Sequence, residues 1–272
     1  MTSKRPLSLA HLSLIDLAPD SLIRTAGEAG FDLVDLRLSP ATQTDRVYSR
    51  DELKVLCREL PPQLRNAGLS IWDVEIIRLK DDTRAEDYLS LMETAAALGA
   101  RRMKLVCDSK DHARAADILG RLCDLAATFG LALDLEYMIF SGVKSLKAAG
   151  DLVGATDRPN LFVLVDALHW VRAGDIEAIR SAERGRFGYV QLCDGPLRGP
   201  SAREALIREA RTSRLAPGEG EFPLDRLLAA VPVNCVASIE VPLPPGRELL
   251  AHARQLLDAS RAIVARHEQV MP

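Results

Sequence analysis

Four residues of this chain that can bind a divalent ion each stand at the end of a short apolar run. The runs are Leu131-Ala-Leu-Asp-Leu-Glu136, Leu161-Phe-Val-Leu-Val-Asp166, Phe187-Gly-Tyr-Val-Gln191 and Val236-Ala-Ser-Ile-Glu240. Three carboxylates and one amide are hard oxygen donors, which suit Mg²⁺, Mn²⁺ or Co²⁺ better than a thiolate-preferring zinc site. Taken singly, each reads first as a capping or salt-bridging residue at a strand end. Taken together they read as one site, because clustered carboxylates need a cation to offset their repulsion and desolvation. The spacing therefore predicts an open divalent-metal site formed by Glu136, Asp166, Gln191 and Glu240 at one end of a parallel barrel.

The elements that must position these residues alternate along the chain. Pro6 to Ser13 reads as a first strand and Leu22, Ile23, Ala26 and Ala29 follow helical spacing up to Gly30. Strands are then expected over Phe31–Leu38, Ser70–Leu79, Met103–Cys107, Leu131–Glu136, Leu161–Asp166, Phe187–Cys193 and Val236–Val241. Helices are expected between them, including Ser49 to Ala67, which Pro61-Pro62 should end or kink, and Asp175 to Ala182. The long irregular insertion from Asp194 to about Phe222 holds one helix near Ala202 to Ala210, and a long amphipathic helix from Arg247 to about His267 ends the chain. Eight strand-like runs, most at a spacing of roughly 25 to 35 residues, match the β-α period of a closed barrel. The reading is a single (β/α)8 TIM barrel over residues 1–272, with a long loop after strand seven. A doubly wound open sheet is weaker, since no Gly-rich dinucleotide fingerprint follows a strand.

Composition narrows the partners. A formal net charge of -3 and 4% aromatic residues give little to attract a phosphate backbone or to stack bases, so no nucleic acid is expected. No run approaches the ~20 apolar residues of a membrane span, and the N-terminal Leu7-Ser-Leu-Ala-His11 is too short and polar for a signal-peptide core. The five cysteines are odd in number and widely spaced, which points to reduced thiols and a cytoplasmic protein. The expected partner is a small-molecule substrate, and apolar residues on helical faces leave room for a homodimer.

Three stretches carry a family resemblance: Asp166-Ala-Leu-His169-Trp-Val-Arg-Ala-Gly174-Asp175, Tyr189-Val-Gln-Leu-Cys-Asp194 and Arg214-Leu-Ala-Pro-Gly-Glu-Gly-Glu221. They resemble the xylose-isomerase-like TIM barrels known as sugar phosphate isomerases/epimerases, whose relatives include ketose 3-epimerases, inosose dehydratases and 3-dehydroshikimate dehydratases. The likeness runs from Ala26-Gly-Glu-Ala-Gly-Phe-Asp-Leu-Val-Asp35 to Ser238-Ile-Glu-Val-Pro242. It implies that Glu136, Asp166, Gln191 and Glu240 hold one divalent ion and that Glu136 and Glu240 form the acid/base pair. Many epimerases carry histidine where this chain has Gln191, whereas 3-dehydroshikimate dehydratases resemble it in using glutamine.

Around that set, His169 falls three residues past Asp166, on a loop above the ion, where it could bind a substrate oxygen or shuttle a proton. Arg214, in the seventh loop, offers a planar five-donor group for a substrate carboxylate, phosphate or hydroxyl pair, with Arg211 as competitor. Arg78 resembles an arginine that dehydratase relatives place in the pocket, and His11 and Glu75 are further candidate pocket residues. Asp194 reads as a turn cap or a partner that orients the site, and His112, His252 and His267 read as surface. The activity expected is a metal-dependent isomerase or epimerase of a small polyhydroxylated carbonyl compound or its phosphate, working by proton abstraction next to the carbonyl. A dehydratase of the 3-dehydroshikimate or inosose type is the close alternative, and a non-catalytic ligand-binding barrel the second.

Overall fold

The computed structural model describes residues 5–270, and within them the eight strands close into a parallel barrel in the order β1 to β8. The strands are β1 (Leu7–Leu9), β2 (Leu33–Arg37), β3 (Ser70–Leu79), β4 (Arg102–Cys107), β5 (Ala132–Glu136), β6 (Leu161–Asp166), β7 (Phe187–Leu192) and β8 (Ala237–Ile239). Closure is made by β1 and β8, which pair Leu7 with Ala237 and Leu9 with Ile239. The helices α1 (Pro19–Ala29), α2 (Arg50–Ala67), α3 (Leu89–Ala97), α4 (His112–Thr128), α5 (Leu146–Thr156), α6 (Ala167–Arg172), α7 (Arg203–Thr212), α8 (Leu224–Ala230) and α9 (Leu249–Val270) follow the strands, α7 and α8 both lying between β7 and β8. Among the described residues no helix is long and apolar enough to cross a membrane, and all five cysteines are free.

Alternation along the strands puts two kinds of side chain on the two faces of the barrel wall. In β5, Leu133 and Leu135 alternate with Asp134 and Glu136, and the same period places Ser238 and Glu240 together at β8. The apolar set joins the large core, while a buried polar set pairs within itself. Asp35 accepts from Ser8 Oγ at 2.6 Å and also from Ser238 Oγ, and Tyr189 donates to Asp73. Burial raises the Asp35 carboxyl to about 7. Arg102 grips Asp134 through Nε at 2.6 Å and Nη2 at 2.7 Å, and its guanidinium lies 4.6 Å from the Phe162 ring centre.

Several local expectations need correction. β1 ends at Leu9, and His11–Leu14 is a 3-10 turn whose Ser13 Oγ donates to the Ile239 carbonyl and accepts from Val241 N, tying the turn to β8. Pro61 and Pro62 do not end α2. The Ser49/Glu52 capping box starts the helix, and Leu53, Leu60 and Leu64 bury one continuous face across the prolines. The helix expected over Asp175–Ala182 is only a 3-10 turn at Ala178–Ser181. Asp175 instead serves neighbouring elements, accepting from Leu146 N at 2.7 Å and, through its carbonyl, from Trp170 Nε1 at 2.9 Å. His252 and His267 are buried rather than on the surface, and His252 Nε2 contacts the Val241 carbonyl at 2.9 Å.

Gly188 on β7 leaves the space that the Arg102–Asp134 pair fills, since a Cβ there would stand 1.7 Å from Asp134 Oδ1 and 2.2 Å from Arg102 Nη2. Gly188→Ala is therefore expected to destabilise the protein by about 3 kcal/mol, by overpacking and by separating a buried ion pair. Urea unfolding measures this, and a loss below about 0.5 kcal/mol, the scale of an unremarkable surface change, would contradict it.

Candidate metal and acid-base site

Each carboxylate of the site is delivered by the last residue of a strand or the one just after it. Asp166 closes β6 and at once caps α6, its Oδ1 accepting from His169 N at 3.1 Å. His169 is thus in a buried helical turn, not on the loop expected for it. Ligand atoms of Glu136, Asp166 and Glu240 lie within 4.8 Å of one another, and all three residues are buried. Gln191 joins them by donating from Nε2 to Glu240 Oε1 at 3.0 Å. Its Oε1 is buried with no hydrogen-bond partner among the described residues, as is one oxygen of Glu75 and the Nδ1 of His169.

Cations stand among these acidic oxygens and offset their charge. Arg214 bridges two, with Nη1 2.6 Å from Asp166 Oδ2 and Nη2 2.9 Å from Glu240 Oε2. Lys104 of β4, which the sequence reading passed over, sets Nζ 2.7 Å from Glu75 Oε2, 3.0 Å from Glu240 Oε1 and 3.8 Å from Glu136 Oε2. Arg37 completes the set, with Nη2 2.9 Å from Glu75 Oε2. The visible signal for Lys104 was a lone charge inside the apolar run Met103-Lys-Leu-Val-Cys107.

The titrations divide accordingly. Burial raises Glu136 to about 8, with Lys104 opposing and Glu240 and Asp166 adding to the rise. Burial acts on Asp166 as well, yet Arg214 and His169 hold it below the ordinary carboxylate range. His169 is lowered to about 4 by burial, so its ring is neutral at pH 7; its Nε2 is 3.8 Å from Glu136 Oε1 and Phe140 stands edge-on to it at 5.3 Å.

Arg214 reaches the site because the loop after β7 folds around Asp194. That carboxylate accepts from the backbone N–H groups of Gly195 at 2.8 Å, Gly218 at 2.9 Å and Phe222 at 2.9 Å, so it is the turn cap expected of it. Gly220 packs against it so closely that a Cβ would fall 2.4 Å from Asp194 Oδ1. The Arg-x-x-Pro-Gly-x-Gly spacing is therefore a mould for one buried guanidinium.

A cavity of about 240 Å³ opens onto this cluster and is lined by Lys104, Glu136, His169, Arg214 and Glu240 at its base. Arg78, Arg211, Ile76, Met138 and Phe140 form part of its wall. Arg78 is already clasped by Asp108, through Nε at 3.0 Å and Nη2 at 2.8 Å. His11 is not among the lining residues. Its Nε2 contacts the Leu17 carbonyl at 2.9 Å and its Nδ1 accepts from Arg37 N at 2.9 Å, so backbone groups occupy both ring nitrogens. The donor set fits a hard divalent ion: three carboxylates in mutual reach and a buried amide oxygen left without a donor among the described residues.

Comparisons with known proteins agree with this architecture. The IOLI protein with a bound zinc atom superposes with a TM-score of 0.79 at 17% identity, over 96% of this chain and 99% of that one. D-psicose 3-epimerase with D-tagatose from Clostridium cellulolyticum H10 gives 0.72 at 16% identity, over 95% and 99%. The probable 3-DHS dehydratase AsbF from Bacillus anthracis gives 0.68 at 15%, over 96% and 98%. The chain spans 44% of a xylose isomerase-like TIM barrel/4-hydroxyphenylpyruvate dioxygenase fusion protein, with a TM-score of 0.78 and 21% identity. No curated protein matches the chain in sequence. The model of the xylose isomerase-like TIM barrel family matches residues 23–261, and the chain belongs to that family.

Proposed function

We propose that the protein is a divalent-ion-dependent enzyme that removes a proton next to the carbonyl of a small polyhydroxylated compound, or of its phosphate, and so isomerises or epimerises it. The observation that carries this reading is the cluster of Glu136, Asp166 and Glu240 at the base of a cavity that Glu136 and Glu240 themselves line. The ion, Mn²⁺, Mg²⁺ or Co²⁺, would be held by Glu136, Asp166, Gln191 and Glu240, and when bound it would polarise the substrate oxygen and stabilise charge developing there. Glu136 and Glu240 are the acid/base pair. Glu136 holds a proton up to about pH 8 until an ion claims its oxygens, and Glu240 is fixed by donors from Lys104, Gln191 and Arg214. His169, neutral and beside Glu136, hydrogen-bonds the substrate and relays a proton. Phe140 and Met138 on the wall limit water.

A cavity of about 240 Å³, below the roughly 300–1,000 Å³ usual for drug-sized ligands, fits a small metabolite. A second reading, dehydration of a carboxylated ring compound, is favoured by two features. Gln191 is the neutral member of the ion shell, and Arg211 at the wall is exposed and forms no ion pair among the described residues. An anionic substrate group would satisfy it. Free thiols fit a cytoplasmic location.

Incubation in deuterated water with ketoses, sugar phosphates, inososes and 3-dehydroshikimate, each with Mn²⁺, separates the readings. Deuterium entering an intact or isomerised substrate is the expected result, an ultraviolet-absorbing enone or aromatic product transfers the assignment to the dehydratase, and neither product with any divalent ion rejects both. Glu136→Gln should lower turnover by about 10²- to 10⁴-fold, the usual weight of a positioned acid/base. Ion binding carries its own pH signature. Because the folded protein holds the Glu136 proton up to about pH 8, above the ordinary glutamate value, ion-free stability falls as pH rises through that window. Mn²⁺ must displace the same proton, so its affinity should rise by up to about tenfold per pH unit between pH 6 and 8. Electron paramagnetic resonance of free Mn²⁺ reads this directly, and a flat profile would contradict the assignment of Glu136 to the ion shell.

A further inference from the structure

Lys104 has no place in the ligand set, yet its ammonium is packed against that set from below. The side chain is 2% exposed. Its Nζ is anchored 2.7 Å from Glu75 Oε2, an oxygen that Arg37 also holds at 2.9 Å. From that anchor it reaches two of the ion-binding carboxylates, Glu240 at 3.0 Å and Glu136 at 3.8 Å. Glu75 is not in the ligand cluster, so it serves as the fixed anion that keeps the ammonium in place. A full positive charge this close to ligand oxygens repels an incoming divalent ion and competes with it for the same negative charge, in a medium that screens poorly. It also holds Glu240 beside Glu136 when no ion is present, as Arg214 holds Glu240 beside Asp166.

We infer that Lys104 is a positioning residue and resident counter-charge: it fixes Glu240 through Oε1, preassembles the carboxylates, and holds the site's affinity for its divalent ion down. The inference rests on the ion-binding part of the function proposed above. A lysine of this kind keeps the ion exchangeable, and it leaves more of the ion's charge for a substrate oxygen than four unopposed ligands would.

The test is Mn²⁺ titration of the full chain at pH 8, followed by electron paramagnetic resonance of free Mn²⁺, together with thermal unfolding. Lys104→Met is expected to bind Mn²⁺ at least about tenfold more tightly than the wild type. It should also unfold at lower temperature without Mn²⁺ and recover most of that loss with it. The double variant Glu75→Gln/Lys104→Met removes both members of the pair and should return to within about threefold of wild-type affinity. A purely structural lysine would change the unfolding temperature and leave the affinity alone. Unchanged or weaker Mn²⁺ binding by Lys104→Met, with the circular dichroism spectrum retained, overturns the inference. Should Lys104→Met not fold, Glu75→Gln alone decides: it frees the ammonium onto Glu240 and must bind Mn²⁺ more weakly, and equal or tighter binding overturns the inference. Absence of Mn²⁺ binding by the wild type would instead defeat the ion site itself, so the two failures are distinct.

Discussion

Charge placed inside a barrel has to be paired, and in this protein one alternating series of ion pairs does that for the whole upper interior. It runs from Arg37 to Glu75 at 2.9 Å, to Lys104 at 2.7 Å, to Glu240 at 3.0 Å, to Arg214 at 2.9 Å and on to Asp166 at 2.6 Å. An isolated buried charge costs far more than a domain's net stability, so no member can be laid down alone. The series crosses β2, β3, β4, the residue after β8, the loop after β7 and the end of β6. Strand register therefore fixes the site, and the site penalises wrong register: slipping any of these strands by one residue turns its charge toward the apolar layer.

The same constraint shapes the loop after β7. Arg214 can be buried only if its guanidinium arrives between Asp166 and Glu240, and its path is set by the turn around Asp194. Three backbone N–H groups converge on that one carboxylate, Gly218 takes a φ of 89°, and Gly220 leaves room for the carboxylate oxygen. Arg172 extends the scaffold, bridging Glu209 of α7 at 2.6 Å and the Pro196 carbonyl at 2.8 Å. Loop geometry here is enforced by buried polar satisfaction together with the packing of Ala216 and Phe222 into the core.

Local pattern in the sequence is enough to read the barrel and its four strand-end oxygens. Leu-Asp-Leu-Glu in β5 shows period-two alternation, and residues that end parallel strands share one rim by geometry alone. What local pattern cannot carry is pairing across distance. Lys104 looks like an isolated charge in an apolar strand, and its meaning lies with Glu240, 136 positions away. Asp166 could equally end a loop or cap a helix, and only its bond to His169 N decides that His169 sits in α6. His252 is buried because its ring finds the Val241 carbonyl, a partner that amphipathic spacing does not reveal.

In the function proposed above, isomerisation and dehydration would share their first step, loss of a proton beside a polarised carbonyl, and the buried carboxylates with their counter-cations would serve that step alike. The branch comes afterwards. A returned proton gives the isomer or epimer, while departure of a β-hydroxyl gives the dehydrated product, and departure requires the leaving oxygen to be protonated and its ring held in one orientation. Those demands would fall on the cavity wall, where Arg37 and Arg78 are each committed to carboxylates and Arg211 is exposed. In that reading the buried carboxylates would set the class of chemistry through groups that cannot move without unpairing a charge, and the choice of product would rest with the exposed Arg211.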